Sequence, residues 1–276
     1  MIKEFAPAKI NLTLKVGSLA SDGYHPIDSL VAFADIGDDL HFEETDCLSL
    51  DVQGDFSQQI PAGSDNLVML AAKELALHLD MSGAGAKIIL IKNLPIASGI
   101  GGGSADAAAT LRGLNLLWNG GLSPKELAAV GSKLGSDIPV CVLGSSGEQN
   151  CIRMRGRGEV LQPMKGDPPF DALLVNPLIA VSTAEVFGKF DQLDAPEKTG
   201  KYSKHNDLTA AAIELEPVIE QVLDVLGELS SYQAQMCGSG ASCFVKFADR
   251  QAAKIAKRLI SSKYPAWWAQ MVKIGV

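Results

Sequence analysis

The chain has 276 residues, of which 47% are hydrophobic and 20% are charged, and its formal net charge at pH 7 is −8. This composition excludes a disordered chain, because there is ample apolar surface to bury, and the acidic balance argues against a general nucleic-acid-binding protein. Because single hydrophobic cores stop growing near this length, two domains are expected.

The cysteines and histidines give no sign of a metal or disulfide framework. The 5 cysteines show no CxxC spacing, and the 4 histidines form no HExxH pair. An odd number of scattered cysteines is typical of free thiols in a reducing compartment. No signal peptide is read at the N-terminus, and no apolar run reaches the roughly 18 residues of a membrane span. We therefore expect a soluble, cytoplasmic protein that binds neither membrane nor nucleic acid.

The N-terminal part reads as strands and loops followed by a helix. Residues 8–16 alternate polar and apolar side chains, which is the period of a half-buried strand, and residues 18–28 are expected to be a loop. Further strands are predicted for residues 31–42, 48–52 and 86–92. Ser64 is a candidate cap for a helix whose apolar positions are Val68, Ala71, Ala72, Leu75 and Leu79.

Two more helices follow in the first predicted domain. One is predicted for residues 104–118, and the next starts at Ser123, which forms a capping box with Glu126. Asp137 is expected just before a rigid turn made by Ile138 and Pro139. The stretch 165–169, Lys-Gly-Asp-Pro-Pro, is the best candidate linker, because Gly and paired Pro cannot continue a helix or a central strand.

A second pattern of alternating strands and helices follows the linker. It consists of a strand at 171–176, a short helix at 183–190, a long helix at 207–226 bent at Pro217, two strand-like runs around a Gly turn at 235–247, and an amphipathic helix at 249–262. The predicted domains are therefore residues 1–160 and 161–276.

The most informative segment is residues 95–106, PIASGIGGGSAD. It follows an apolar strand and precedes a helix, and its glycines allow the backbone to turn sharply and approach a ligand. Unpaired amides at a helix start, together with the helix dipole, favour an anion such as phosphate. A P-loop is excluded because neither Gly-Lys pair precedes Ser or Thr, and Ser104 breaks the GxGxxG fingerprint. A tight turn without a ligand remains the alternative.

This segment resembles the central phosphate-binding motif of the GHMP small-molecule kinases. Residues 6–12, APAKINL, are similar to the N-terminal motif of that family, and residues 237–244, CGSGASCF, to its C-terminal glycine-rich motif. The resemblance implies an α+β fold with a ribosomal-protein-S5-like N-terminal domain and a ferredoxin-like C-terminal domain. It also implies ATP as phosphoryl donor and Mg²⁺ as companion ion, with no protein ligand for the metal predicted.

Three further segments, KINL at 9–12, DGYH at 22–25 and GSDIP at 135–139, resemble one branch of this family. The acceptor alcohol of that branch carries a cytidine diphosphate group and belongs to non-mevalonate isoprenoid biosynthesis. One alternative is another GHMP kinase acting on mevalonate, phosphomevalonate, homoserine or a sugar, against which Tyr24 and His25 argue. The other is a nucleotide-binding homologue without catalysis, against which the retained Lys9 and Asp137 argue.

The resemblance implies a role for each candidate site residue. Asp137 is the base that receives the proton of the acceptor hydroxyl, and Lys9 beside it keeps the carboxylate ionised and polarises the hydroxyl. The ATP-binding residues are Asn66, Pro95, Ile96, Ala97, Ser98, Gly99, Ile100, Gly101, Gly102, Gly103, Ser104 and Ala105. The acceptor-binding residues are Asn11, Tyr24, His25, Thr183 and Phe187. A monomer or weak homodimer is expected.

Simpler interpretations stay open for several of these residues. The local sequence also fits a turn or capping aspartate at Asp137, a solvated strand lysine at Lys9 and a helix cap at Asn66. The chain also departs from the family pattern at Ala97-Ser98, where Gly-Gly or Ala-Gly is common, and this puts side-chain contacts to phosphate in doubt. Arg153, Arg155 and Arg157 share one strand face and could steer a diphosphate, although a solvated face is favoured.

Overall fold

The fold is seen in a computed structural model that describes residues 1–60, 63, 65–144, 150–193 and 202–275. Its strands and helices in chain order are β1 (Ile2–Val16), β2 (Ile27–Glu43), β3 (Leu48–Gln53), α1 (Leu67–His78), β4 (Ala86–Ile91), α2 (Gly102–Leu117), α3 (Pro124–Ser132), α4 (Ile138–Leu143), β5 (Cys151–Gly156), β6 (Val160–Met164), β7 (Phe170–Asn176), α5 (Thr183–Gln192), α6 (Thr209–Leu215), α7 (Val218–Leu229), β8 (Gln235–Met236), β9 (Cys243–Lys246), α8 (Arg250–Lys263) and β10 (Trp268–Ile274). This mixture of helices with mainly antiparallel strands confirms the predicted α+β class.

The chain folds into two compact units that interleave along the sequence. The first contains the described residues within 1–9, 36–96 and 101–149, and the second those within 10–35, 97–100 and 150–276. The long strands β1 and β2 contribute residues to both units. None of the helices in the described ranges combines the length and apolar character needed to cross a membrane.

In the first unit, β4 pairs antiparallel with the C-terminal part of β2 and parallel with β3. Helix α2 packs closely on this sheet because Gly113 leaves room for Phe42, whose ring carbon would lie 2.3 Å from a Cβ at that position. The core here consists of fully buried side chains, among them Leu40, Phe42, Leu75, Ile88, Leu90, Leu111 and Leu114. Burial of each such side chain contributes about 1.5–3 kcal/mol to folding.

In the second unit, β7 lies between β10 and β9, and β8 continues the sheet beyond β9. The N-terminal part of β2 pairs with β5, which pairs with β6. Side chains from α5 to α8 form the core of this unit, including Val186, Ala212, Ile219, Leu223, Leu226, Ala253 and Ile260. The predicted linker at 165–169 connects β6 to β7.

Several predicted elements need correction. The first two strands are longer than predicted, and α4 and β10 were not predicted at all. The predicted long helix is two helices, because Pro217 has no amide hydrogen to donate and instead begins α7 as its N-cap. Asn66 caps α1, whereas the predicted cap Ser64 lies outside the described residues.

Candidate active site

Lys9 and Asp137 form an ion pair in the first unit. The Lys9 ammonium Nζ donates a hydrogen bond to Asp137 Oδ2 at 2.7 Å. Lys9 is only 4% exposed, so it is not a solvated strand lysine. The Asp137 side chain is 33% exposed, which leaves part of the carboxylate open to solvent. The pair therefore combines a buried cation with a carboxylate that a hydroxyl group can reach.

The start of α4 fixes the position of Asp137. Asp137 is the N-cap residue of α4, but its side chain makes no capping hydrogen bond, so the carboxylate is not used as a helix cap. Ile138 and Pro139, predicted to form a rigid turn, instead begin the helix, with both side chains buried. Proline is well suited to a first helical turn because its fixed φ angle matches the helix and its missing amide hydrogen has no partner there.

The glycine-rich segment leads directly into α2. Gly101 is the N-cap of α2 with φ +67°, a left-handed conformation that favours glycine, and no side chain caps the helix. The first amides of α2, from Gly102 to Ser104, are therefore left for another acceptor, which is the expected arrangement at an anion site. A Cβ at Gly101 would lie 3.1 Å from Cβ of Lys9, so this turn packs against the stem of the candidate catalytic lysine.

Residues 97–100 of the same segment belong to the second unit, where they pack against the C-terminal glycine-rich motif. The amide of Ser242 donates to the Ser98 carbonyl at 3.1 Å, and a Cβ at Gly99 would lie 2.5 Å from the Cys237 carbonyl oxygen. Asn206 holds the C-terminal motif in turn, since its Nδ2 donates to the carbonyls of Met236 and Gly238. The two glycine-rich motifs thus meet backbone to backbone, a contact that requires glycine on both sides.

Asn66 is a helix cap, as its simpler interpretation predicted. Its Oδ1 accepts a hydrogen bond from the amide of Val68 at 2.8 Å. Its proposed place near adenine stays a prediction.

Two of the predicted acceptor-binding residues lie in polar networks of the second unit. Asn11 is buried and donates to Ser29 Oγ at 2.8 Å, while its own Oδ1 is buried with no hydrogen-bond partner. Thr183, the first residue of α5, shares a hydrogen bond of 2.9 Å with Ser239 in the C-terminal glycine-rich motif. Sequence reasoning did not single out Ser239 or Asn206.

His25 and Phe187, which are both predicted to bind the acceptor, lie next to each other. Their ring centroids lie 5.4 Å apart at an interplanar angle of 29°. His25 Nδ1 lies 2.8 Å from the Gly17 carbonyl oxygen and Nε2 lies 3.2 Å from Asp191 Oδ2, so both ring nitrogens already have partners. A base edge that binds this imidazole must replace one of them.

Tyr24 is exposed, and the Arg157 guanidinium carbon lies 4.5 Å from the centroid of its ring. Arg157 also binds Asp22, and Arg153 binds Asp28 through both Nε and Nη2. β5 ends at Gly156, so Arg157 lies in the turn after it and does not share a strand face with Arg153 and Arg155, contrary to the prediction. Two of the three arginines are paired with carboxylates of the neighbouring loop and strand, which favours a structural role over the steering of a diphosphate.

A buried ionic cluster of Asp38, Lys92 and Asp106 was missed by sequence reasoning. Lys92 Nζ donates to Asp106 Oδ2 at 2.7 Å and also to Asp38. Asp38 Oδ1 accepts from the amides of Asn93 and Leu94. The available signal was polar residues in apolar surroundings: Lys92 ends an apolar strand, and Asp106 stands in an alanine-rich helix.

The predicted residues thus fall into two groups, one in each unit. The first unit holds Lys9, Asp137, Asn66, Pro95, Ile96 and residues 101–105, and the second holds Asn11, Tyr24, His25, Thr183, Phe187 and residues 97–100. Strand β1 and the glycine-rich segment connect the two groups along the chain.

Comparison with known proteins gives matches to two family models. The model of the GHMP kinases N terminal domain matches residues 66–145, and that of the GHMP kinases C terminal matches residues 193–266.

Similar proteins match over almost their whole length. A 4-diphosphocytidyl-2-C-methyl-D-erythritol kinase from Paramagnetospirillum magneticum is 44% identical over 95% of this chain and 95% of its own. A protein of the same name from Cereibacter sphaeroides is 41% identical over 100% of both chains. Among solved structures, a 4-(cytidine 5'-diphospho)-2C-methyl-D-erythritol kinase is 28% identical, covers 99% of each chain and superposes with a TM-score of 0.80.

Proposed function

The chain belongs to the GHMP kinase family, and from this premise we propose that it transfers the γ-phosphoryl group of ATP to the 2-hydroxyl of 4-diphosphocytidyl-2-C-methyl-D-erythritol. This reaction is a step in non-mevalonate isoprenoid precursor biosynthesis. Relatives that carry the name of this kinase match the chain at 41–44% identity over nearly its full length. Within the structure, the observation that carries the proposal is the Lys9–Asp137 ion pair beside Gly101.

The start of α2 is the proposed site for the phosphates of ATP. Its amides at Gly102, Gly103 and Ser104 have no side-chain cap, and the helix dipole adds positive potential at the same end. Asn66, Pro95 and the rest of the segment to Ala105 are proposed to complete the nucleotide site.

Asp137 is the proposed general base for the acceptor. As the acceptor oxygen bonds to the γ-phosphorus, its proton passes to the Asp137 carboxylate and the bond to ADP breaks. Lys9 holds that carboxylate at 2.7 Å and steadies the negative charge that develops on the oxygens in transfer. Phosphoryl transfer needs mainly positioning and neutralisation of charge, which this pair and the α2 amides supply.

Mg²⁺ is proposed as a companion of the ATP phosphates, where it would neutralise their charge. In the described ranges, no group of three or more His, Cys, Asp or Glu side chains is arranged to hold a metal. We therefore assign the ion no protein ligands and route no step through it.

The acceptor is proposed to bind to the second-unit group through its cytidine diphosphate part. Tyr24 offers an exposed aromatic face for the base. His25, its neighbour in the chain, stacks against Phe187 of α5. The unpartnered Oδ1 of Asn11 can accept a hydrogen bond from an acceptor hydroxyl. Thr183, the first residue of α5, shares a hydrogen bond with Ser239 and lies one helical turn before Phe187.

The proposal also includes the domain limits, the cellular location and the state of assembly. Domain limits of 1–160 and 161–276 are supported by the two family-model spans, each of which lies inside one range. The cytoplasm is the proposed location, since free thiols at all 5 cysteines suit a reducing compartment. A monomer or weak homodimer is the proposed state of assembly.

The test is a coupled assay of ADP release by the purified protein with ATP and each candidate acceptor. We expect turnover with 4-diphosphocytidyl-2-C-methyl-D-erythritol and inhibition of that turnover by cytidine diphosphate. Turnover with mevalonate or homoserine instead would keep the family and overturn the acceptor. ATP binding without turnover on any acceptor would overturn the kinase activity.

A further inference from the structure

The cluster of Asp38, Lys92 and Asp106 lies directly behind the start of α2. A Cβ at Gly102, the first residue of α2, would lie 3.1 Å from the Lys92 ammonium and 3.8 Å from Asp38 Oδ2. Asp106 stands one helical turn further along the same helix. The cluster thus lies against the first two turns of α2, which begin with the proposed phosphate-binding amides, entirely within the first unit.

The cluster has an excess of one carboxylate. One ammonium faces two carboxyl groups, so the cluster carries a net negative charge when both are ionised and is neutral when one is protonated. Asp38 accepts hydrogen bonds from two backbone amides in addition to Lys92. Asp106 accepts from Lys92 and lies next to the Asp38 carboxyl group, while its Oδ1 is buried with no hydrogen-bond partner. Asp106 is therefore the carboxyl group on which a proton is held.

Burial raises the pKa of Asp106 to about 8, although the Lys92 ammonium opposes this shift. Burial by itself lowers the pKa of Lys92, but the two carboxylates outweigh it and the net shift is upward, so Lys92 stays charged. The charge of the cluster therefore changes near pH 8 through Asp106.

We propose that Asp106 takes up a proton when the phosphates of ATP bind at the start of α2, so that the cluster adds no negative charge beneath them. This inference rests on the proposed phosphate site. The negative charge of the bound phosphates raises the free energy of the ionised Asp106 carboxylate, so Asp106 binds a proton more tightly. That proton comes from solvent. Asp106 acts as a positioning residue whose charge sets nucleotide affinity.

Three other ionisable groups lie close to Asp106. Lys92 follows β4 and Asp38 belongs to β2, as described above. From α4, Cys141 faces the same region, and burial raises the pKa of its thiol to about 12, so it is neutral below that pH. Lys9 and Asp137 act on Cys141 from the other side and are present in every variant compared below.

The experiment is calorimetric titration of the full chain with ATP and magnesium, without acceptor, from pH 7 to pH 9.5. At pH 8.5, repeating it in buffers of different ionisation enthalpy counts the protons taken up. We expect wild type to take up a fraction of a proton per ATP. Its affinity for ATP should be about tenfold lower at pH 9.5 than at pH 7, because the ionised Asp106 carboxylate repels the phosphates at the higher pH. In Asp106→Asn both effects should be absent or strongly reduced.

The matched control is Glu74→Gln, a carboxylate on α1 that pairs with the exposed Lys133, and it should keep the wild-type profile. Equal proton uptake in wild type and Asp106→Asn would overturn the inference, as would a wild-type affinity that is flat with pH. If Asp106→Asn does not fold, the wild-type buffer series decides alone. A complete lack of ATP binding at pH 7 would instead contradict the proposed nucleotide site.

Discussion

At the scale of single residues, the Lys9–Asp137 pair is the most informative contact. A buried ammonium needs a carboxylate partner, and here the partner is fixed at the start of α4 while one third of its side chain stays exposed. The spacing of residues in the sequence could not predict a contact between residues 128 positions apart. The fold brings them within 2.7 Å of each other, which supports their proposed roles.

Asp137→Asn should remain folded and lose about 10²- to 10⁴-fold in kcat, because the amide fills the same space but accepts no proton. The KM for ATP should change much less, since Asp137 is not part of the proposed phosphate site. Steady-state kinetics with a thermal melt checks both points. Asp55→Asn, which changes an exposed aspartate, is the control. Wild-type turnover in Asp137→Asn would remove Asp137 from the mechanism.

Tyr24→Ala should raise the KM for the cytidine-bearing acceptor by about 5- to 150-fold, the range expected for loss of one stacked base. The KM for ATP should stay near the wild-type value. Tyr24→Phe keeps the aromatic face and should behave like wild type, while Tyr232→Ala removes another exposed tyrosine and serves as the control. Equal increases in both KM values would contradict a role for Tyr24 in base recognition.

At the scale of elements, the turn into α2 connects nucleotide binding to the catalytic pair. The left-handed Gly101 ends the loop, leaves the helix uncapped by any side chain, and packs on the stem of Lys9. One residue therefore affects both the phosphate site and the position of the lysine. Ala97 also adopts a positive φ of 49°, so a second residue of this segment is left-handed without being glycine.

Gly101→Ala should impair both functions. A left-handed alanine costs about 1–2 kcal/mol, and its methyl group would crowd Lys9. We expect weaker ATP binding together with a lower kcat, measured by calorimetry and steady-state kinetics. Gly227→Ala, in the last turn of α7 with nothing within 4 Å of the added Cβ, is the matched control. It should stabilise the protein by up to about 1 kcal/mol and leave activity unchanged.

The sequence predicted those elements that local chemistry specifies. The capping box at Ser123 and Glu126 is present as predicted, with the Ser123 amide 2.8 Å from Glu126 Oε2. The three motifs predicted the family and the α+β fold. Contacts that depend on distant parts of the chain could not be predicted. The Asp38–Lys92–Asp106 cluster joins the interior of β2 and the end of β4 to α2, and Ser239 reaches Thr183 across 56 positions.

At the scale of the whole molecule, the net charge of −8 opposes both expected anionic ligands. Binding must therefore come from local features, which are the α2 amides, the helix dipole and Lys9. The same acidic balance makes a buried, proton-holding carboxyl group such as Asp106 important for stability as well as for binding.

Asp106 should make the stability of the fold depend on pH. Its pKa is raised from 3.8 to about 8 on folding, so the folded state holds a proton that the unfolded state lacks between these values. The associated stability is present at low pH and is lost as the pH rises to about 8. Urea unfolding from pH 5 to pH 9 should show wild type losing stability relative to Asp106→Asn. A constant difference between the two would contradict this.

The 5 cysteines differ sharply in their surroundings, since Cys47 is exposed and Cys141, Cys151, Cys237 and Cys243 are buried. Burial raises the pKa of the Cys141 and Cys243 thiols, which makes them poor nucleophiles at neutral pH. Cys47 precedes β3, far along the chain from every proposed site residue. The native chain thus offers one position for a maleimide fluorophore, which allows ligand binding to be followed optically without any engineered cysteine.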